Sequence, residues 1–191
     1  MSYSDLRITV ADYLNRTDLT DTIPAFIDLA EARMQREVRH WRGERRGDAE
    51  INSRFTTLPS DYLEMTRLHA VGYPPMQLVT QDWMQRHQPA EGWPQYFCIT
   101  GGQIEVNPIP SQGVPVEMAY YATLPKIRDN GTNWLFEIAP DAYVYGALLQ
   151  SAPYLQEDSR ITVWASLYQS AVDAINSESA RARMPGKMVM R

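Results

Sequence analysis

Residues 132–175, TNWLFEIAPDAYVYGALLQSAPYLQEDSRITVWASLYQSAVDAI, decide the fold of this chain. The stretch predicts two short helices rich in large aromatics and separated by a tight corner. Pro140 and Asp141 open the first helix, because a missing N–H costs nothing there and a carboxylate suits the positive end of the dipole. Tyr143, Tyr145, Leu148 and Leu149 leave almost no polar face, so this helix is expected to be buried nearly all round. Pro153 stops it. Asp158 or Ser159 is expected to cap the next helix, where Ile161, Trp164, Tyr168, Ala171, Val172 and Ile175 recur at helical spacing. The block carries no catalytic grouping and reads as architecture.

The N-terminal third is also helical. Ser4 is expected to cap a first helix to about Asn15, with Leu6, Val10, Tyr13 and Leu14 inward. Arg16–Asp21 is a polar turn. Pro24 sits in the first turn of a longer helix reaching about His40, whose stripe of Ile23, Ile27, Ala30, Met34 and Val38 is widened by Phe26 and Leu29.

Between the helical ends the period changes to two. Ala49–Phe55 and the segment from Leu63 to about Val71 read as strands. Met76–Val79 reads as a short edge strand and Thr80–His87 as a short helix docking Trp83 and Met84. The clearest signal is Tyr96–Thr100 and Gln103–Asn107 around Gly101-Gly102, a pair that supplies the positive φ angles of a two-residue loop. In that register Ile99 faces Ile104 and Phe97 faces Val106, while Cys98 and Glu105 share the other, outward face. Val114–Tyr121 is the last strand, with Val114, Val116, Met118 and Tyr120 on one side.

The layout is therefore α+β. Two sequence-distant helix pairs most simply pack as an α-helical bundle with an antiparallel β-rich subdomain inserted between them. The expected boundaries are 1–46 for the N-terminal helices, 47–125 for the β-rich subdomain, 126–176 for the C-terminal helices and 177–191 for an extended tail. That tail is small, polar and basic, and is expected to stay mobile until a partner orders it.

Composition narrows the class. A chain of 191 residues fits one domain with a subdomain, and 44% apolar residues suffice for a core. The net charge of −5 argues against a dedicated nucleic-acid coat or a membrane-surface protein. Sixteen of the eighteen basic residues are Arg, the better residue for bidentate contacts with carboxylate or phosphate. Glu178–Arg191 holds four cations and one anion, so the rest of the chain is more acidic than its total. One cysteine, Cys98, excludes an internal disulfide and suits assembly in a reducing cytoplasm. No apolar run approaches membrane-spanning length, and MSYSDLRITV lacks the layout of a secretory signal.

No catalytic, cofactor or metal site is expected. His40, His69 and His87 are far apart, and none has an acid or thiol at ligand spacing. Cys98 sits mid-strand opposite Glu105, which opposes thiolate formation. Glu105 and Glu117 on neighbouring strands would suit glycoside hydrolysis only with a pocket that raises one pKa, and a solvated strand face is the simpler reading. Gly101-Gly102 lacks the lysine and helix of a phosphate loop. The run Arg33, Arg36, Arg39, Arg42, Arg45 and Arg46 crowds the end of the second helix. It reads either as solvated charge beside the helix C-terminus or as a contact strip for a neighbouring subunit or passing DNA. The tail mixes cations with Met, which adapts to irregular surfaces.

A resemblance joins these parts. Asn133-Trp134-Leu135, Pro140-Asp141 with Tyr143, Tyr145-Gly146-Ala147-Leu148, Ala152-Pro153 and Trp164 resemble the C-terminal half of the head-to-tail adaptors of tailed bacteriophages, also called connectors or tail accessory factors. Leu14-Asn15-Arg16, Asp18-Leu19-Thr20-Asp21, Ile23-Pro24, Leu29-Ala30-Glu31-Ala32-Arg33, Leu58-Pro59-Ser60-Asp61-Tyr62-Leu63 and Tyr120-Tyr121-Ala122 are similar to the rest of that family. The likeness runs from about Tyr3 to Ile175 and rests on order and spacing.

It implies a structural virion protein, made in the host cytoplasm, that forms a closed ring, most often dodecameric, under the portal protein. The ring extends the DNA channel at the head–tail junction, lets double-stranded DNA pass without specific binding, and presents a docking surface to a tail or nozzle protein. In the family the C-terminal segment commonly grips the portal. Here that makes Arg181, Arg183, Met184, Lys187, Met188, Met190 and Arg191 portal-contact candidates, and the six arginines from Arg33 to Arg46 candidates for subunit or channel contacts. No enzyme activity, cofactor or membrane is implied. A tail-completion or nozzle component is the alternative, with a glycan hydrolase or a DNA-binding regulator more remote.

Overall fold

In the computed structural model, which describes residues 1–16, 18–155 and 159–184, the chain is mixed α+β and divides into two units. In order the elements are α1 (Tyr3–Leu14), α2 (Ile23–Glu37), β1 (Glu44–Ile51), β2 (Phe55–Thr57), β3 (Tyr62–Ala70), β4 (Gln77–Leu78), α3 (Gln81–Arg86), β5 (Tyr96–Thr100), β6 (Gln103–Asn107), β7 (Val114–Ala122), α4 (Ile127–Asn130), α5 (Trp134–Ile138), α6 (Pro140–Gln150) and α7 (Arg160–Arg183). Single 3-10 turns occupy Trp41–Gly43 and Ala152–Tyr154. The helical unit comprises Met1–Gly43 and the chain from Leu124 onward; the sheet unit is Glu44–Thr123.

In the helical unit one apolar cluster draws on both ends of the chain. Leu6, Val10 and Leu14 of α1 and Ile23, Ile27, Ala30 and Met34 of α2 join Tyr143, Ala147 and Leu148 of α6 and Trp164, Tyr168, Val172 and Ile175 of α7. α6 packs against α1, α2 and α7, which is why it has almost no exposed face. Gly146 is a point of close approach. A Cβ there would stand 3.2 Å from the Ala30 Cβ of α2 and 3.3 Å from the Tyr168 ring of α7.

Local chemistry shifts several expected helix ends. α1 is capped by Ser2, whose hydroxyl accepts from the Asp5 amide while Asp5 accepts from the Ser2 amide, a reciprocal box that starts the helix ahead of Ser4. Tyr13 is 48% exposed and Leu29 54%, so neither belongs to the core stripes expected to hold them. α2 stops at Glu37 rather than near His40. Asn176 of α7 takes the polar groups there, its Nδ2 donating to the Glu37 carbonyl and its Oδ1 accepting from the Arg39 amide. Ser159 stands at the N-cap position of α7 without a side-chain cap bond, and Asp158 lies outside the described residues. α7 runs on to Arg183, past the expected end near Ile175, because Ser179 is buried and its hydroxyl accepts from the Trp41 amide.

The sheet unit holds two sheets. One has the order β1-β7-β3, all antiparallel; the other has the order β2-β6-β5-β4, with only the β4–β5 pair parallel. The β5–β6 hairpin has the expected register, with Ile99 opposite Ile104, Phe97 opposite Val106 and Cys98 opposite Glu105. β7 buries Val114, Val116, Met118 and Tyr120 on one side. β1 begins at Glu44, five residues before the expected start, so Arg45 and Arg46 lie on a strand. Ile51, Leu68, Phe97, Ile104, Val106, Val116 and Met118 form its core.

Candidate assembly surfaces

Polar side chains on α2 hold the returning chain in the helical unit. Asp28, Glu31 and Gln35 lie three and four residues apart and so share one helix face. Arg128 donates to Asp28 at 2.9 Å, the Ile127 amide to Glu31 Oε1 at 3.0 Å, and the Leu124 amide to Gln35 Oε1 at 3.2 Å. Behind this ladder the buried Asn133 caps α5, its Oδ1 accepting from the Phe136 amide at 2.8 Å. Its Nδ2 donates to the Pro125 carbonyl and to the Tyr143 hydroxyl, both at 2.8 Å. Burial raises the Glu31 carboxyl above its ordinary pKa and, more strongly, the Tyr143 phenol, so the cluster favours its neutral forms. It joins residues a hundred positions apart. Only the spacing of Asp28, Glu31 and Gln35, polar residues alongside an apolar stripe, signals it in the sequence.

The six arginines singled out from sequence do not form one free strip. Arg33 donates to Glu37 at 2.8 Å and lies 4.4 Å over the Tyr168 ring, while the Tyr168 hydroxyl donates to Glu37 at 2.7 Å. Arg39 donates to the Gln35 and Val38 carbonyls. Arg42 stacks on Trp41. Arg45 pairs with Asp61 at 2.6 Å. Arg36, Arg42, Arg45 and Arg46 are exposed. Of the six, the first four belong to the helical unit, and Arg45 and Arg46 to the sheet unit.

At the far end of α7, Arg181, Arg183 and Met184 are exposed, Met184 at 68%. Lys187, Met188, Met190 and Arg191 lie outside the described residues. One exposed stripe of α7 carries no charge: Val163 and Leu167 are one turn apart, followed by Ser170, Ala174 and Ser177, with the exposed Asp173 and Glu178 beside it.

Residues 1–190 match the family described as SU10 adaptor protein. The chain belongs to that family. It is thus a phage adaptor, a structural component of the virion. No curated protein matches the chain.

The side chains weighed for chemistry fall into structural places in this adaptor. His40 is fully buried, stacked on Trp134 at 5.4 Å, and its Nδ1 accepts from the Arg42 amide. Burial lowers its pKa. His69 lies 3.5 Å from Glu117, and His87 stacks on Trp83. Among the described residues no group of three or more His, Cys, Asp or Glu is placed to hold a metal ion. Glu105 is not on a solvated face as expected. It is 6% exposed and accepts from Arg54 at 2.6 and 2.8 Å, because Arg54 folds across that side of the hairpin. Glu105 and Glu117 are also on strands of different sheets, which removes the basis for pairing them. Cys98 donates to Glu105 at 3.4 Å, and burial raises its thiol pKa. No helix among the described residues is long and apolar enough to cross a membrane.

Proposed function

We propose that this adaptor forms a closed ring beneath the portal, extends the DNA channel and offers the tail its attachment surface. The observation that carries the reading is the family match over residues 1–190. The architecture that goes with it is an α-helical bundle of N- and C-terminal helix pairs with the β-rich unit inserted, supported by the single core shared by α1, α2, α6 and α7.

A ring closed by rotation needs two different patches on each subunit. The uncharged stripe of α7 through Val163, Leu167, Ser170, Ala174 and Ser177 suits one of them. The C-terminal segment suits the portal. α7 ends in Arg181 and Arg183, exposed and followed by Met184, so the last helical turn presents cations where the dipole favours them and leads straight into the basic tail. The six arginines from Arg33 to Arg46 remain candidates for subunit or channel contacts, Arg36, Arg42, Arg45 and Arg46 being the exposed ones. The net charge of −5 fits a conduit that does not hold its DNA.

Native mass spectrometry of the full chain mixed with the portal ring of the same phage tests the role. A complex with one copy per portal subunit supports it. A folded chain that makes no complex overturns it.

A further inference from the structure

We propose that His40 is a proton-operated latch on the C-terminal end of α7. Neutral, it holds the last turns of α7 against the segment Arg39–Arg42; protonated, it lets them part. The device goes beyond the adaptor reading and does not depend on ring formation.

The segment meets α7 at three successive points. The Arg39 amide donates to Asn176 Oδ1 at 2.8 Å, and the Trp41 amide donates to Ser179 Oγ at 3.1 Å. Between them His40 Nε2 stands 3.8 Å from Glu178 Oε1. His40 is the centre of this seam. Its side chain is fully buried, with the Trp134 ring of α5 stacked on it and the Trp41 ring 5.3 Å away. The turn has no slack beneath it, since a Cβ at Gly43 would stand 3.0 Å from the Trp134 ring.

The hydrogen bonds fix where a proton can enter. Nδ1 accepts from the Arg42 amide at 3.2 Å, so the neutral ring carries its hydrogen on Nε2, toward Glu178. A second proton must therefore bind Nδ1. There it meets the Arg42 N–H, so the acceptor is lost and two donors face each other in a buried place. The surroundings add to the cost. Burial holds the His40 pKa below the ordinary 6.5; the Glu178 carboxylate of α7 opposes this, while Arg42 of the turn and Arg183 of α7 reinforce it. The Glu178 side chain is 58% exposed, so solvent screens its attraction. Trp134, the contact from α5, brings no charge.

The seam can open without the core. Ile175 is the last apolar residue that α7 buries; beyond it the buried contact is that of Ser179. Such an end is a unit of low local stability. Once it opens, His40 titrates at its ordinary pKa, so the open state binds more protons than the closed one. Closure is fully favoured above about pH 6.5 and weakens as pH falls, by up to about tenfold per pH unit, until the closed form also takes up the proton. Glu31 has the opposite sign, because its raised pKa firms the helical unit in acid. His40 is the one histidine of the helical unit; His69 and His87 belong to the sheet unit. The turn that is freed carries Arg181 and Arg183 and leads into the C-terminal segment.

Amide hydrogen exchange of the full chain, compared at about pH 7.5 and about pH 5.5 and corrected for intrinsic exchange, tests the latch. Protection of the Trp41 and Arg42 amides, and of the amides from Asn176 to Arg183, should fall about tenfold at the lower pH. Protection from Val144 to Leu148 in α6 should hold. His40→Asn offers Oδ1 to the Arg42 amide and cannot ionise, so its protection should be the same at both pH values. If that variant fails to fold, the ring-nitrogen NMR signals of His40 in the parent chain decide. They should show the Nε2–H tautomer and a midpoint below the ordinary 6.5. Unchanged protection in the parent chain, an equal loss in α6, the same loss in a folded His40→Asn, or a His40 midpoint at or above the ordinary value overturns the proposal.

Discussion

Asn133 Nδ2 and the Tyr143 hydroxyl meet at 2.8 Å in the interior of the helical unit, and the same asparagine caps α5 through its Oδ1. One side chain thereby ties the loop after α4 to both α5 and α6. Tyr143→Phe keeps the ring packed edge-on against Phe136 but strips Asn133 of a partner. A loss of about 1–3 kcal/mol in urea unfolding is expected, the cost of leaving a buried polar group unsatisfied. Asn133→Ala should cost more, since the cap is lost as well.

Glu31 gives the same cluster a pH dependence of definite sign. Its folded pKa is raised above the ordinary 4.5, mainly by burial. Between the unfolded and folded values the native state binds more protons, so stability falls as pH rises through that window and then levels off. Glu31→Gln keeps an oxygen acceptor for the Ile127 amide and cannot ionise. Unfolding temperatures measured from acid to neutral pH should show the decline in the parent chain and its reduction in Glu31→Gln.

Gly146→Ala runs against the usual gain from replacing a helical glycine. Removing backbone freedom from the unfolded chain favours alanine by roughly 0.5–1 kcal/mol. The new Cβ, however, would press on Ala30 at 3.2 Å and Tyr168 at 3.3 Å, between two other helices. Overpacking of a filled core costs about 1–3 kcal/mol, so a net loss is expected. Adding Ala30→Gly should recover part of it, and a double-mutant cycle measures how much.

What the sequence conveyed well was local. The hairpin around Gly101-Gly102 was legible because turn chemistry and alternation agree, and they fix the register as well as the strands. α6 was legible because Pro140-Asp141 and an all-round apolar face leave one solution. What it conveyed poorly depends on residues that meet only in the fold. Leu29 and Tyr13 sit beside true core positions, and whether a stripe is that wide depends on the neighbour covering it. β1 begins in Glu44-Arg45-Arg46, a charged run that reads as loop until Arg45 finds Asp61. The final turns of α7 are Ser, Glu, Ala and Arg, tail-like in composition, yet Ser179 is buried by a contact with the Trp41 amide 138 positions away. The arginine run looked contiguous in sequence and is divided by the boundary between the two units.

In the sheet unit, Arg54→Met removes the partner of a nearly buried carboxylate while keeping much of the side-chain volume. Breaking a fully buried pair costs 3–5 kcal/mol. Arg54 is 37% exposed, so a loss of about 2 kcal/mol is expected here. Cys98 reports on the same spot. Its raised thiol pKa and burial should make it resist iodoacetamide in the native chain and react only as the sheet unit opens, faster in Arg54→Met than in the parent.

The course of α7 decides how the C-terminal segment should be removed. A chain ending at Ile175 loses the tail, but it also loses Asn176 and Ser179, which together make three hydrogen bonds to Glu37, Arg39 and Trp41. At about 1 kcal/mol each, that truncation should destabilise the helical unit by roughly 2–4 kcal/mol and confuse any binding result. A chain ending at Met184 keeps all three contacts. It should unfold at the temperature of the full chain, and by native mass spectrometry it should no longer join the portal ring. Undiminished portal binding by the Met184 chain would remove the tail from the interface and shift attention to the exposed turn that carries Arg181 and Arg183.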